Sequence, residues 1–331
     1  MKVNPIFTLG AARNGTTFLA NRLINLAEVF GAHHVLHHGS YEQKLLANFK
    51  YWGDLSEPND YLRFLHQFQI DDGFILSGLD ISEFYGLRVK DFFEFYFELS
   101  DRAAQKTGKP YWTTKLDTLL YTDLKATSYF LELVLDRYDN PKFIGVKRDL
   151  EACILSYLNM EGRRFAARQS WYLKDPAIVI GVARYFAQYV WIERILKDQE
   201  GILLRFEELV AEGNPCDKVI DAYLETGVGN EATQKNIYQR NTSFLRDPSN
   251  KKGISRWSYR MARFGFSTFP FLGRWFCWVY ERLKSSSYPV NTRLFKYKYY
   301  PDLLKAELKK RNAVALIKLL DIEESQLKND Q

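Results

Sequence analysis

The stretch "LGAARNGTTFL", residues 9–19, decides how the rest of the chain is read. It keeps the glycine spacing of the phosphate-binding pattern G-x-x-x-x-G-K-[ST]. Gly10 and Gly15 are in register and Thr17 holds the hydroxyl position, but Thr16 stands where the lysine belongs. Upstream, "NPIFTL" is a short apolar run; downstream, Phe18, Leu19, Leu23, Leu26 and Phe30 recur at helical spacing. Strand, glycine turn and helix in that order make an anion cradle from backbone N–H groups and the positive end of the helix, with or without a lysine. Arg13 supplies a cation from within the loop. The missing lysine argues against γ-phosphoryl transfer, where that residue neutralises the β- and γ-phosphates alongside Mg²⁺.

Working outward, "AHHVLHHG" predicts a second strand, and residues 41 to 102 predict helical, aromatic-rich sequence with breaks at Pro58 and Gly73. Within it, "DFFEFYFELSD" reads as a buried helix face. "KPYWTTKLD" is a strand, a helix follows near 122–137, and "PKFIGVKRD" is a buried strand that leaves into the helix "LEACILSYLNMEG". A long helix at about 176–198 leads to "GILLRFEELV", a strand running into a helix. Strands alternating with helices predict an α/β architecture, a mostly parallel sheet with helices on both faces. From about residue 240 the pattern loosens. The last helix, from Pro301, carries Leu303, Leu304, Leu308, Val314, Leu316, Ile317 and Leu320 on its apolar side.

At 331 residues with 46% hydrophobic side chains, the chain can fill a substantial core, which excludes a disordered class. Its net charge of +6 suits an anionic small ligand better than the long surface of a nucleic acid, and no nucleic-acid partner is expected. Cys153, Cys216 and Cys277 are odd in number and widely spaced, so neither a disulfide framework nor a zinc cluster is expected. With Met1 taken as the natural start, no leader or membrane-spanning stretch is read, and a cytoplasmic location is the expectation.

A second segment sharpens the ligand. "KFIGVKRDLEACILSYLN" places Arg148 at the carboxyl end of a strand and Ser156 eight residues on, one or two turns into the next helix. Together, "LGAARNGTTFL" and "FIGVKRDLEACILSYLN" resemble the two signature segments of sulfotransferases that use 3′-phosphoadenosine 5′-phosphosulfate (PAPS), whose usual forms are R-S-G-T-T and R-D/N-P-x-D-x-x-x-S. The resemblance implies a P-loop NTPase-like sulfotransferase fold with a helical insertion and a helical C-terminal extension. It implies that Arg13, Asn14, Gly15, Thr16 and Thr17 cradle the 5′ end of the donor, while Arg148 and Ser156 hold its 3′-phosphate. Asn14 replaces the usual serine and Leu150 the usual proline; neither change removes a charge or a backbone donor. "DPSNKKGISRW" is similar to the family's late basic loop, implying Lys251, Lys252 and Gly253 near the 3′-phosphate. "LLRFEELVAEG" resembles a further segment that is structural rather than catalytic. A metal is not expected, and 3′-phosphoadenosine 5′-phosphate (PAP) is the product.

Sulfuryl transfer to a hydroxyl or amine needs in-line approach, positive charge on the leaving oxygen and a base for the acceptor proton. Lys115, closing "YWTTK", resembles the family lysine that faces the donor sulfate, and Asp117 stands where some branches place a histidine base. His38 is the preferred base, on its likeness to the family's second-strand end and on a free pKa near neutrality; Asp117 and Glu42 stay open as alternatives. Strand alternation sends His34 and His38 to one face and His33 and His37 to the other, which disfavours a shared zinc.

The chain divides at this level into a sulfotransferase α/β domain over 1–260, with its insertion at about 42–105, and an aromatic, helical extension over 261–331 packed on it. The aromatic stretch from Phe264 to Tyr280 reads as core or as a lid over an apolar acceptor, with peripheral membrane contact the alternative. The acceptor class is a small molecule, carbohydrate or lipid. Two other functions compete: an ATP-dependent small-molecule kinase with a degenerate loop, and a non-catalytic nucleotide-binding protein. No pattern speaks to oligomeric state.

Overall fold

The computed structural model describes residues 2–11, 13–26, 28–31, 41–116, 123–150, 152–154, 156, 174–211, 215–225, 268, 269, 271, 275, 297–311 and 317. The chain forms two compact units, one of residues 1–147 with 191–237, the other of residues 148–190 with 238–331.

The first unit is built on a parallel sheet. Strands β1 (Asn4–Leu9), β2 (Val29–Phe30), β3 (Tyr111–Lys115), β4 (Lys142–Lys147) and β5 (Ile202–Arg205) lie in the order β2-β3-β1-β4-β5. β1 is therefore central, with β3 on one side and β4 on the other. The connections reverse direction between β1 and β4. In open parallel sheets, ligands bind in the crevice beyond the carboxyl ends of the strands at such a switch point.

One face of the sheet carries aliphatic packing. Ile6 on β1 and Ile144 and Val146 on β4 pack with Leu19 and Leu23 of helix α1 (Thr16–Ile24). Leu204, Leu209, Ile220 and Leu224 complete this core. The other face is aromatic: the Phe7 ring lies 5.6 Å from Trp112, 5.7 Å from Phe130 and 5.3 Å from Phe143. Phe130 belongs to the helix at Leu124–Arg137, where expected, and Trp112 to β3.

The insertion is helical, with α2 (Tyr41–Trp52), α3 (Pro58–Phe68), α4 (Asp72–Ser77), a 3₁₀ turn at Ile81–Phe84 and α5 (Phe92–Lys106). Asp91 caps α5 by accepting hydrogen bonds from the amides of Phe93 and Glu94. Phe92, Phe93, Phe95, Tyr96 and Phe97 are all buried, so the aromatic run is a packed helix face, as its composition predicts. We number the helix at Leu124–Arg137 α6. Around its end, buried Asp101 accepts hydrogen bonds from Trp112 Nε1 and Tyr138 Oη and pairs with Arg137, locking α5, β3 and α6 together.

Two local expectations are corrected. The periodicity running from Phe18 to Phe30 does not make one helix: α1 stops at Ile24, Asn25 and Leu26 turn back onto it, and Val29–Phe30 pair with Tyr111–Trp112 as β2. Gly73 does not break the insertion but sits inside α4. The break precedes it, at Asp71, whose carbonyl accepts from the Ile75 amide. The strand expected at "AHHVLHHG" lies in residues 32–40, outside the described residues.

Helix α7 (Lys174–Asp198) contributes residues up to 190 to the second unit and the remainder to the first. After it come β5, the short α8 (Phe206–Leu209) and α9 (Pro215–Leu224). An ion pair between Arg22 and Asp217 fastens α9 to α1. In the second unit, the Tyr185 and Tyr189 rings of α7 meet at a tilt with their centroids 4.7 Å apart, and α10 (Pro301–Lys310) buries Leu304 and Leu308.

Candidate functional site

The site grows from the carboxyl end of β1. Gly10 follows the strand, and a Cβ there would fall 2.5 Å from Thr16 Cγ2 and 3.0 Å from Val146 Cγ1. Only a residue without a side chain lets the turn close this tightly between α1 and β4. The amide of Asn14 donates to the Ala11 carbonyl at 3.0 Å, closing a turn over residues 11–14. Arg13 then adopts φ +73° and Gly15 φ +103°, so two left-handed residues flank Asn14. For Arg13 this conformation costs about 1 kcal/mol or more, a strain that persists where the surrounding structure imposes it.

Gly15 is the residue from which α1 starts, and its carbonyl accepts the Leu19 amide at 2.9 Å. No acidic side chain lies in the first turn, and Gly15 offers no side chain to the amides there. The positive end of the helix is thus aimed at the loop without a built-in counter-charge. Beneath Gly15 lies Phe206, at the start of α8; a Cβ on Gly15 would sit 2.2 Å from its Cδ2. The same ring meets Phe18 edge-on at 6.1 Å. Phe206 therefore sets the floor of the loop.

Asn14 is fully buried, and neither Oδ1 nor Nδ2 has a hydrogen-bond partner among the described residues. Leaving such a group unsatisfied costs about 1–3 kcal/mol, and native structures tolerate this mainly where something else completes the site.

Lys115 reaches the loop from β3. Its Nζ donates to Thr17 Oγ1 at 3.5 Å. The strand end that carries it is tied to β1 three times: Thr8 Oγ1 donates to the Thr114 carbonyl, Thr113 Oγ1 to the Ile6 carbonyl, and the Leu116 amide to the Thr8 carbonyl. An ammonium is thereby brought to the same helix end where the P-loop pattern would have put its own lysine, now supplied from the neighbouring strand.

Arg148 directly follows β4, whose Gly145 pairs with Leu9 of β1. In the second unit Arg148 is buried, and its carbonyl accepts from Tyr185 Oη at 2.5 Å. Asp149 then caps the next helical segment, its carboxylate accepting the Ala152 amide at 3.1 Å and its carbonyl the Cys153 amide at 2.9 Å. Ser156 is helical and buried on that segment. The Arg-Asp pair thus has a local logic: the aspartate starts the helix, which holds the arginine at the strand end.

The remaining expected site residues divide cleanly. Glu42 lies in the first turn of α2, with its side chain outside the described set. His33, His34, His37, His38, Asp117, Lys251, Lys252 and Gly253 lie outside the described residues. Among the described residues no three His, Cys, Asp or Glu side chains gather to hold a metal. Phe206 is the site component that sequence reading passed over as purely structural; its only local signal is an aromatic directly after the "LLR" strand.

The model of the sulfotransferase family matches residues 5–216, which span β1, the loop, Lys115, Arg148 and β5. The chain belongs to the sulfotransferase family. No curated protein sequence matches this family member. Among solved structures it is similar to a sulfotransferase domain from the curacin biosynthetic pathway, at 18% identity and a TM-score of 0.44, over 72% of this chain and 79% of that one. Within this sulfotransferase-family chain, the hydrogen bond from Lys115 to Thr17 joins the end of β3 to the first turn of α1, beside the end of β1.

Proposed function

We propose that the protein transfers a sulfuryl group from PAPS to a hydroxyl or amine of a small-molecule, carbohydrate or lipid acceptor. The observation that carries this reading is the hydrogen bond from Lys115 to Thr17 at the positive end of α1. It supplies the cation that a phosphosulfate needs without the lysine that a γ-phosphoryl donor uses.

The residues present fit such a donor. The missing Cβ atoms of Gly10 and Gly15 let the turn close against Thr16, Val146 and Phe206, and the Asn14 carboxamide is buried with its hydrogen-bonding capacity unspent among the described residues. Arg13, Asn14, Gly15, Thr16 and Thr17 would hold the 5′ end, and Arg148 and Ser156 the 3′-phosphate, with Lys251, Lys252 and Gly253 adding to the latter. When bound, the donor supplies the sulfur electrophile: the acceptor heteroatom forms the new bond to sulfur while the sulfur–oxygen bond to phosphate breaks, leaving its electron pair on that oxygen.

The protein's part is positional and electrostatic. Loop amides and the α1 N-terminus fix the phosphate, and Lys115 neutralises charge that develops on the bridging oxygen. A base accepts the acceptor proton; His38 is the preferred candidate, with Asp117 and Glu42 the alternatives. The location in which this occurs is proposed as cytoplasmic, where the donor and reduced Cys153 and Cys216 are both at home.

The test is turnover. With PAPS, a chelator and a panel of hydroxyl and amine acceptors, the enzyme releases PAP and yields a sulfated product for at least one acceptor class. Consumption of ATP with magnesium, and no PAP release with any acceptor, would overturn the proposal in favour of a kinase.

A further inference from the structure

Within the loop from Gly10 to Thr17, Asn14 combines two properties that conflict. Its side chain is fully buried, and neither Oδ1 nor Nδ2 meets a hydrogen-bond partner among the described residues. A carboxamide holds two N–H donors and an oxygen with two lone pairs, so its whole capacity is unspent there. The Asn14 backbone, by contrast, is committed: its amide closes the turn on the Ala11 carbonyl, between Arg13 at φ +73° and Gly15 at φ +103°. In the neighbouring strands the Thr8 and Thr113 hydroxyls are paired, and Lys115 Nζ donates to Thr17 Oγ1. Thr114 Oγ1 is also buried without a partner among the described residues, but strand alternation sets it on the Trp112 face, opposite Thr113 and Lys115.

The cost of the unpaired carboxamide falls on the loop itself. An apolar side chain of the same shape would leave nothing unsatisfied there and would be neutral or stabilising. A polar residue kept at such a cost in a ligand-binding loop points to a partner that arrives with the ligand. The donor's chemistry fits one half of the group and not the other. An ionised 5′-phosphosulfate presents only acceptor oxygens, so it takes a proton from Nδ2 and offers none to Oδ1. Oδ1 then needs an N–H, which the turn supplies from its own backbone. Serine, which the R-S-G-T-T form has at this position, is shorter and has a single proton to give.

We propose that Asn14 grips the donor through its side chain: with PAPS or PAP bound, Nδ2 donates to an oxygen of the 5′ anion while Oδ1 accepts from a loop N–H, so that binding locks the loop. The inference rests on the reading of the donor as PAPS. It adds that Asn14 trades stability of the free chain for affinity, which a merely structural residue does not do.

Asn14→Leu, close in volume and apolar, separates the two roles in the full chain. The expected result is a ligand-free urea midpoint equal to or above that of the unaltered chain, at unchanged slope, while PAP affinity measured calorimetrically in a chelating buffer falls about tenfold or more. A ligand-free midpoint that falls together with affinity would place the carboxamide's partner within the chain and overturn the inference. A second readout needs no folded leucine variant. The side-chain NH₂ signals of Asn14 in the unaltered chain, identified by their loss in Asn14→Ser, should shift downfield on adding PAP; signals that PAP leaves in place overturn the inference. A chain that binds no PAP overturns the PAPS reading and this inference with it, whereas PAP binding indifferent to Asn14→Leu overturns this inference alone.

Discussion

Replacing Gly15 with alanine probes the loop where its geometry is most demanding. Two costs add. The backbone is at φ +103°, outside what an L side chain adopts readily, worth about 1–2 kcal/mol. The new methyl would lie 2.2 Å from Phe206 Cδ2 and 2.5 Å from Cε2, so the buried ring must shift, at about 1–3 kcal/mol. The total of about 2–5 kcal/mol is to be read as a lowered urea-unfolding midpoint at unchanged slope. The two costs separate in a double-mutant cycle. In a Phe206→Ala background the steric part disappears and Gly15→Ala should cost only about 1–2 kcal/mol, a coupling of about 1–3 kcal/mol between the sites. PAP binding should weaken with Gly15→Ala in both backgrounds, because the loop amides move with the backbone. Equal costs of Gly15→Ala in the two backgrounds, or no cost in either, would refute the reasoning.

Other outcomes follow from the same geometry. Lys115→Ala should lower kcat roughly 10²–10³-fold, with a much smaller change in donor affinity, in steady-state assays of PAP release. Arg148→Ala should weaken binding of PAP far more than binding of adenosine 5′-phosphosulfate in parallel titrations; equal losses would remove Arg148 from the 3′-phosphate. Asp123, the N-cap of α6, is held below its ordinary carboxylate pKa of 3.8, first by the hydrogen bond from Lys50 and then by the Ala126 amide. Its contribution is therefore present above pH 3.8 and lost as pH falls through the lower folded value. Asp123→Asn should accordingly reduce stability at neutral pH and flatten the acid-side loss below about pH 4 in unfolding curves taken across pH.

Much of the fold was legible because its signals are local. "IFTLG" before an apolar periodicity states strand, turn and helix, and Tyr111–Lys115, Lys142–Lys147 and Ile202–Arg205 each stand out as short β-rich runs bounded by polar or turn residues. α5 was legible from its aromatics, which bury wherever they meet a sheet face. What escaped depends on distant partners. Leu26 and Phe30 keep helical spacing after Leu23, yet the chain turns at Asn25 because Val29 and Phe30 have a strand edge, Tyr111–Trp112, waiting to pair with them. Nothing near Gly15 announces Phe206, 191 positions later, beneath it. The lysine missing from the P-loop pattern is likewise answered by Lys115 only once β3 lies beside β1, since strand order is a property of the whole sheet.

The measurement that bears most directly on the central claim is stabilisation by PAP in the absence of magnesium. At a ligand concentration about one hundred times Kd, the account predicts a gain of about 2.7 kcal/mol, seen as a raised melting temperature in a chelating buffer and diminished by Arg13→Ala and Asn14→Ala. No shift with PAP, together with a clear shift on adding ATP and magnesium, would contradict it.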